Sequence, residues 1–144
     1  MRRLNGFAGI LIAATALACS AVEPTIVEPA VIISLSDTAR IGVADTVPRG
    51  AAFQVTFESF GGGCTRSIAR TDEKVTGSMV EIRPFDTFTQ TNGREYCPTD
   101  VLRLTHSVIV DVDQPGVATI KVVGERKGGA LKTPAQIQRT IVVR

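Results

Sequence analysis

Tryptophan is absent from the 144 residues of this chain, and histidine and tyrosine each occur once. With one imidazole, His106, a site built from several histidines is excluded, and a mechanism with a histidine general base has a single candidate. Low-hydropathy, highly charged tracts are also missing, since 44% of the residues are hydrophobic and 21% are charged. Length and composition therefore indicate one folded domain.

An excess of charge of one sign is lacking as well. The chain has 16 Lys and Arg residues against 14 Asp and Glu residues, and two of the cations are Arg2 and Arg3 in a segment that resembles a leader. Without these two, the rest of the chain holds 14 residues of each sign. Binding to a phosphate backbone needs clustered Lys and Arg, so we expect no nucleic-acid partner.

The first 20 residues have the layout of a signal peptide. Arg2 and Arg3 precede an uncharged apolar run over residues 7–18, which ends in small residues. The tripeptide Ala-Leu-Ala at residues 16–18 satisfies the rule for ordinary cleavage, and the next residue is Cys19. A permanent anchor helix is less favoured, because the uncharged stretch contains polar and glycine positions and no cluster of positive charge follows it.

Ala16-Leu17-Ala18-Cys19 resembles the lipobox of bacterial lipoproteins, although that family more often has leucine at the position of Ala16. The resemblance implies a signal peptide over residues 1–18 and Cys19 as the lipidated mature N-terminus. It also implies a lipid anchor, to which each buried acyl CH₂ contributes about 0.8 kcal/mol. With Ser20 rather than aspartate next, it implies the outer membrane, facing the periplasm or the cell surface. Ordinary cleavage would instead give a soluble exported or periplasmic protein.

Residues 19–30 are predicted to be an extended tether, because Pro24 and Pro29 favour stiff polyproline geometry. If Cys19 carries lipid, Cys64 and Cys97 remain, and two thiols in an oxidising compartment usually pair. A disulfide between them would close 34 residues and stabilise the fold by roughly 3 to 4 kcal/mol. The alternative, a metal or catalytic thiol, lacks the four close ligands that zinc prefers.

From residue 31 onward the pattern is typical of strands. Phe53, Val55 and Phe57 alternate with polar residues in the run 51–59, and no apolar 3.6-residue repeat follows the leader. Similar short runs occupy residues 31–35, 40–43, 67–70, 75–83, 102–112, 117–123 and 137–143. The sequence therefore predicts an all-β sandwich of about seven antiparallel strands over residues 31–144, with turns at Asn92-Gly93, Pro115-Gly116 and Gly128-Gly129.

Two segments resemble bacterial immunoglobulin-like domains. The first is Thr-Val-Pro-Arg-Gly at residues 46–50, which precedes the alternating run at residues 51–59. The second is Asp-Gln-Pro-Gly-Val at residues 113–117, which precedes the alternating residues Ala118, Ile120 and Val122. The resemblance implies an immunoglobulin-like sandwich, without the core tryptophan of antibody domains. Cys64 and Cys97 would then lie in two loops at one end, so their bridge would connect loops.

His106 follows Leu102 and Leu104 and precedes Val108 and Val110 with strand parity, which points it inward. We interpret it as a hydrogen-bonded core histidine. The alternative is a small envelope enzyme with a pocket that joins His106 to carboxylates such as Asp111. The adjacent Ser107 does not make a triad, because the three members must converge in space.

Other candidates favour structural roles. Asp111, Asp113 and Gly116 partly match a calcium loop, but too few oxygen ligands accompany them, and turn-capping carboxylates explain them better. Gly61, Gly62 and Gly63 lack the Lys-Ser/Thr and the helix of a phosphate site. Two small basic tips, Arg126 and Lys127 with Lys132, and Arg66 with Arg70, are solvated loops or contacts for an acidic partner or membrane surface. We expect no catalytic residue, metal or cofactor.

The sequence thus predicts a non-enzymatic envelope lipoprotein that serves as a binding or structural accessory module. Its partners would be the membrane through the lipid and a protein or glycan of the envelope. A soluble ligand- or metal-binding domain is the alternative. The expected contact residues at the cysteine-linked end are Phe60, Gly61, Gly62, Gly63, Arg66, Arg94 and Tyr96, because aromatic residues stand there in glycine-rich, polar segments. The alternative is that the aromatic residues pack beneath the loops.

Overall fold

The computed structural model describes residues 24–35, 37–62, 66–89 and 101–144, and these ranges contain β-strands and no α-helix. The strands are β1 (Thr25–Pro29), β2 (Val31–Ser34), β3 (Asp37–Thr38), β4 (Thr46–Val47), β5 (Phe53–Gly62), β6 (Arg66–Thr76), β7 (Met79–Thr89), β8 (Val101–Val110), β9 (Gly116–Gly128) and β10 (Leu131–Val143). The predicted all-β class is confirmed.

Two sheets face each other in a sandwich-like arrangement. In the large sheet the order is β1, β7, β9, β10 and β4, while β6 pairs with the other edge of β7, β2 joins β9 and β3 joins β2. The small sheet consists of β5 and β8, which pair antiparallel from Phe53–Val110 to Gly62–Val101. Contacts of β2 with β5 and of β6 with β8 bring the two sheets together.

The core lies between the sheets because successive side chains of a strand point to opposite faces. In β9, Ala118, Ile120 and Val122 are fully buried, whereas the residues between them are partly exposed. Each fully buried Val, Ile or Phe side chain contributes about 1.5 to 3 kcal/mol. From the small sheet the core receives Val55, Phe57, Phe60, Val108 and Val110, and from the large sheet chiefly Val31, Ile32, Val80, Ile82, Ile141 and Val143.

The N-terminal strands β1 and β2 lie between β7 and β9 where these two strands separate, a place we call the fork of the large sheet. β7 and β9 run parallel and pair only over residues 79–82 and 119–122. Beyond these residues β1 pairs antiparallel with β7, the chain reverses at Ala30, and β2 runs parallel to β9. The Ala30 N–H donates to the Pro84 carbonyl, and the Ala30 carbonyl accepts from the Glu125 N–H, both at 2.9 Å. A Cβ on Gly124 would lie 2.5 Å from the Ala30 oxygen, so this close approach requires glycine.

Several predicted boundaries differ from the structure. Residues 25–29 of the predicted tether form β1, so the folded domain includes them. The single strand predicted over residues 75–83 is split by a turn at Gly77, whose φ of +61° suits glycine. Residues 40–43 contribute one isolated bridge, between Gly42 and Thr56, and no strand.

The pairing pattern also differs from a simple antiparallel meander. β6–β7 and β9–β10 are antiparallel hairpins, the second with its turn at Gly129 as the sequence predicts. The pairs β2–β9, β7–β9 and β4–β10 are parallel, and each joins strands that are not consecutive in the chain. The Asn92-Gly93 turn lies outside the described residues, and the immunoglobulin-like connectivity stays a prediction.

Candidate functional site

The residues expected to make contacts at the cysteine-linked end are largely buried where the structure describes them. Phe60 belongs to β5 and is only 3% exposed, and Gly61 is buried beside it. This burial corrects the expectation that Phe60 and Gly61 form a loop surface, because β5 continues to Gly62 instead of ending at residue 59. Arg66 is nine-tenths buried at the start of β6. Gly63, Arg94 and Tyr96 lie outside the described residues, as do Cys19, Cys64 and Cys97.

His106 lies on β8 and points into the core, as its parity predicts. Its ring stacks on Phe57 of β5, with ring centroids 5.1 Å apart and the planes 4° from parallel. The pairing register puts Phe57 directly opposite His106, so the stack follows from the β5–β8 ladder. Nδ1 is 3.4 Å from the Thr71 hydroxyl of β6, a long contact.

Two polar side chains meet His106 at Nε2, and neither was singled out from the sequence. Ser59 Oγ is 3.0 Å from Nε2 and donates a hydrogen bond of 2.8 Å to Asp86 Oδ2. Asp86 Oδ1 is 3.1 Å from Nε2, but it accepts no hydrogen bond of good geometry from the described residues. We call Ser59, Asp86 and His106 the inter-sheet cluster, because β5 and β8 belong to the small sheet and β7 to the large one. All three side chains are at most 1% exposed.

The inter-sheet cluster has the residue types of a catalytic triad but not its geometry. In a triad the carboxylate holds Nδ1 and leaves Nε2 to the nucleophile. Here Ser59 and Asp86 both contact Nε2, and the Ser59 proton is directed to the carboxylate rather than to the imidazole. No substrate atom can reach a hydroxyl of zero exposure. The arrangement therefore serves to satisfy buried polar groups, which would otherwise destabilise the core.

Strand parity could have revealed both partners of His106. Ser59 continues the inward positions of Phe53, Val55 and Phe57, and Asp86 continues those of Val80 and Ile82. A polar residue at an inward position signals a buried hydrogen bond. Asp111, the carboxylate expected near His106, is exposed beyond the end of β8 and does not join the cluster.

Asp111 and Asp113 lie in the connection between β8 and β9. The described ranges contain no group of three or more metal-ligating side chains. Both carboxylates are exposed in the segment between β8 and β9, and the backbone carbonyl of Asp113 accepts a 2.7 Å hydrogen bond from Arg49 Nε. The Gly50 N–H donates to the Val112 carbonyl next to it, so these contacts fix the connection between strands.

A second cluster, the N-terminal ionic cluster, consists of Glu28, Arg66, Lys132 and Glu125. Glu28 on β1 binds Arg66 of β6 and, at 2.6 Å, Lys132 of β10, which also lies 3.4 Å from Glu125. Burial disfavours the charged carboxylate, but the hydrogen bond from Lys132 and the positive charges of Arg66 and Lys132 outweigh it and lower the pKa of Glu28. The cluster thus holds the first strand against two others, and both basic tips expected from the sequence contribute one cation to it.

An open groove of about 790 Å³ lies beside β3, β5 and β8. Arg103 crosses it over the Phe60 ring, with the guanidinium carbon 5.6 Å from the ring centroid. Asp37 and Glu58 each bind this guanidinium at 3.3 Å. Arg40 also lines the groove, so two cations and two carboxylates balance within it.

Comparison with known proteins gives no relative for this chain: no family model, no curated protein and no solved structure matches it. In the part of the chain that the structure describes, no helix reaches the length and hydropathy needed to cross a bilayer.

Proposed function

We propose that this chain is a non-enzymatic lipoprotein of the bacterial cell envelope that acts as a binding or structural accessory module. The observation that carries the non-enzymatic part is the position of His106, the chain's one histidine. Its reactive nitrogen Nε2 is occupied by Ser59 and Asp86 in the closed core, which favours a structural role over general-base catalysis.

The anchor is proposed from the leader. Arg2, Arg3, the apolar run and Cys19 support lipidation at Cys19, and β1 begins only six residues later. The domain would thus be held close to the membrane, on the periplasmic or outer side. An envelope protein or glycan is the proposed partner, and the groove beside Arg103 suits a polar neutral group such as a sugar, because its charges are compensated.

A disulfide between Cys64 and Cys97 belongs to the same proposal. Gly62 at the end of β5 and Val101 at the start of β8 are register partners. Cys64 follows Gly62 by two residues, and Cys97 precedes Val101 by four. Paired strand ends lie about 5 Å apart, so connections of two and four residues are long enough for the roughly 5.5 Å between Cα atoms that a bridge requires.

The test is the intact mass of the protein made in a bacterium with its own leader, before and after reduction. We expect a mass that begins at Cys19 with acyl groups and increases by about two protons on reduction. A mass without acyl groups would reject the anchor and favour the soluble exported domain. An unchanged mass on reduction would reject the disulfide. A thermal shift with calcium or zinc would favour the alternative, a metal-binding domain.

A further inference from the structure

Two leucines stand out at one end of the molecule. Leu35, just after β2, is 80% exposed, and Leu131, at the start of β10, is 75% exposed, the highest values among the large hydrophobic side chains of the described residues. They flank the end of β9 from its two edges, since the Leu35 N–H donates to the Lys127 carbonyl on one side and Leu131 pairs with Gly128 on the other. We call Leu35, Leu131, Arg126 and Lys127 the leucine tip.

The backbone at Leu35 is held in a conformation that leucine rarely adopts. Its φ of +46° makes it the only non-glycine residue with a positive φ in the ranges that the structure describes. Such strain costs on the order of 1 kcal/mol or more, and a glycine here would avoid it. An apolar side chain that is both strained and exposed gains nothing from the folded domain, which indicates that it contacts something else.

Positive charge flanks the two leucines. Arg126 and Lys127 are exposed near the end of β9, and the ion pairs of the described chain do not include either of them. The nearby acids are already engaged: Glu28 and Glu125 with Lys132, and Asp37 with Arg103. An apolar pair between uncompensated cations complements the surface of an anionic bilayer, where the headgroups are charged and the interior is apolar.

The leucine tip lies at the end of the sheet where the preceding chain enters. β7 and β9 run in the same direction and β1 runs against β7, so Thr25, Thr89 and the end of β9 share one end of the large sheet. Cys19 precedes Thr25 by six residues, which span at most about 20 Å when extended. A lipid on Cys19 would therefore keep this end, and not the opposite one, next to the membrane.

We propose that the leucine tip docks on anionic phospholipid, with Leu35 and Leu131 at the boundary of the acyl chains and Arg126 and Lys127 among the headgroups. This inference rests on the proposed lipid anchor, which brings the tip to the surface. It adds an orientation to the proposed function, because the start of β9, with Val117, then faces away from the membrane.

The absence of tryptophan permits a direct test with the full chain in vesicles. Leu131→Trp provides one fluorophore in the leucine tip, and Val117→Trp provides a control at the opposite end, where Val117 is 67% exposed. The vesicles contain equimolar phosphatidylglycerol and phosphatidylcholine, the latter brominated on its acyl chains. We expect blue-shifted and quenched emission from position 131 only. Equal emission and quenching at the two positions would overturn the proposal.

The charge requirement is tested in the same background. Replacing both cations, Arg126→Gln with Lys127→Gln, should lower the ratio of docked to undocked protein roughly twenty-fivefold, at about fivefold for each charge near an anionic surface. Lys74→Gln, an exposed cation on the far hairpin, should leave it unchanged. Quenching that is the same in pure phosphatidylcholine, or that survives the double substitution, would overturn the role of anionic lipid.

The mass measurement separates this proposal from the anchor. If the purified chain carries no acyl group, the anchor fails, and flotation of the same protein with anionic vesicles still shows whether the leucine tip binds. If the chain is lipidated and the tryptophan at position 131 stays in water, the proposed anchor is confirmed and the proposed docking of the leucine tip is rejected.

Discussion

The inter-sheet cluster and the N-terminal ionic cluster both join distant strands through polar side chains, but they differ in burial. The inter-sheet cluster has one carboxylate and one imidazole and is closed to water. The N-terminal ionic cluster has four charged groups, whose side chains are 9% to 28% exposed. In the second cluster Glu28 and Lys132 are open enough for water to replace a lost partner, whereas no side chain of the first cluster is. The number of charges is therefore a poor guide to which cluster holds the fold.

The largest effect is expected from Asp86→Ala. The substitution removes the buried carboxylate that accepts the Ser59 hydrogen bond and lies against Nε2 of His106, and it leaves a cavity in the core. The loss of this buried partner should lower the free energy of unfolding by about 3 to 5 kcal/mol. Urea denaturation at neutral pH measures the loss. Asp72→Ala, which removes a surface ion pair with Arg70, should cost less than about 1 kcal/mol.

A loss no greater for Asp86→Ala than for Asp72→Ala would contradict the importance of burial. If Asp86→Ala does not fold, Asp86→Asn, which can still accept the Ser59 proton, should restore folding and give a measurable, smaller loss.

The next largest effect concerns the way β1 and β2 are held in the fork. Gly124→Ala introduces a Cβ 2.5 Å from the Ala30 carbonyl oxygen and should lower the free energy of unfolding by about 1 to 3 kcal/mol. Gly128→Ala, on the same strand with no atom within 4 Å of its Cβ, is the matched control and should change little. Equal losses would mean that backbone fit at Ala30 does not hold the N-terminal strands.

Glu28→Gln should have a smaller effect that depends on pH. The pKa of Glu28 is lowered on folding, so the charged carboxylate stabilises the protein at pH values above its ordinary 4.5, and this contribution is lost as the pH falls through the lower folded pKa. At neutral pH we expect a loss of about 0.5 to 1 kcal/mol, reduced by high salt.

Thermal or urea unfolding of wild type and Glu28→Gln at several pH values measures this difference, with the exposed Glu73→Gln as control. The two stability curves should converge in acid. A constant difference across the pH range would show that the ionic cluster contributes through packing and not through charge.

The smallest effect is expected from Thr71→Val, on the other side of the imidazole. The 3.4 Å contact with Nδ1 is long, so its loss should cost about 0.5 kcal/mol or less. Ser59→Ala, which removes the hydroxyl between Nε2 and Asp86, should cost about 1 to 3 kcal/mol in the same assay. Comparable losses would show that the two ring nitrogens are equally engaged.

Local patterns predicted much of the fold. The alternation of Phe53, Val55 and Phe57 identified β5, the parity around His106 placed its ring in the core, and Gly128-Gly129 identified the turn after β9. These features depend on neighbours in sequence, so the sequence contains the information needed. The inward position of His106 was thus predictable without any partner.

Features that depend on distant residues were not predicted. β1 carries Glu28 and ends in Pro29, a pattern typical of a solvated spacer, and it is a strand only because β7 offers it an edge. No local pattern distinguishes Asp86 from the other carboxylates, and it meets His106 only because the two sheets pack together. The hairpin turn at Gly77 was missed because Val75, Val80 and Ile82 on its two sides were interpreted as one strand.

The reversal at Ala30 has a consequence for the order in which the domain is completed. β1 joins the sheet through β7, and β2 joins it through β9. The side-chain partners are equally distant, since Thr25 contacts Thr89, 64 residues later, and Glu28 contacts Lys132, 104 residues later. Bringing together such distant segments is entropically costly and slows folding. During synthesis or export in the N-to-C direction, β1 and β2 emerge first but cannot enter the sheet until β7 and β9 have followed them.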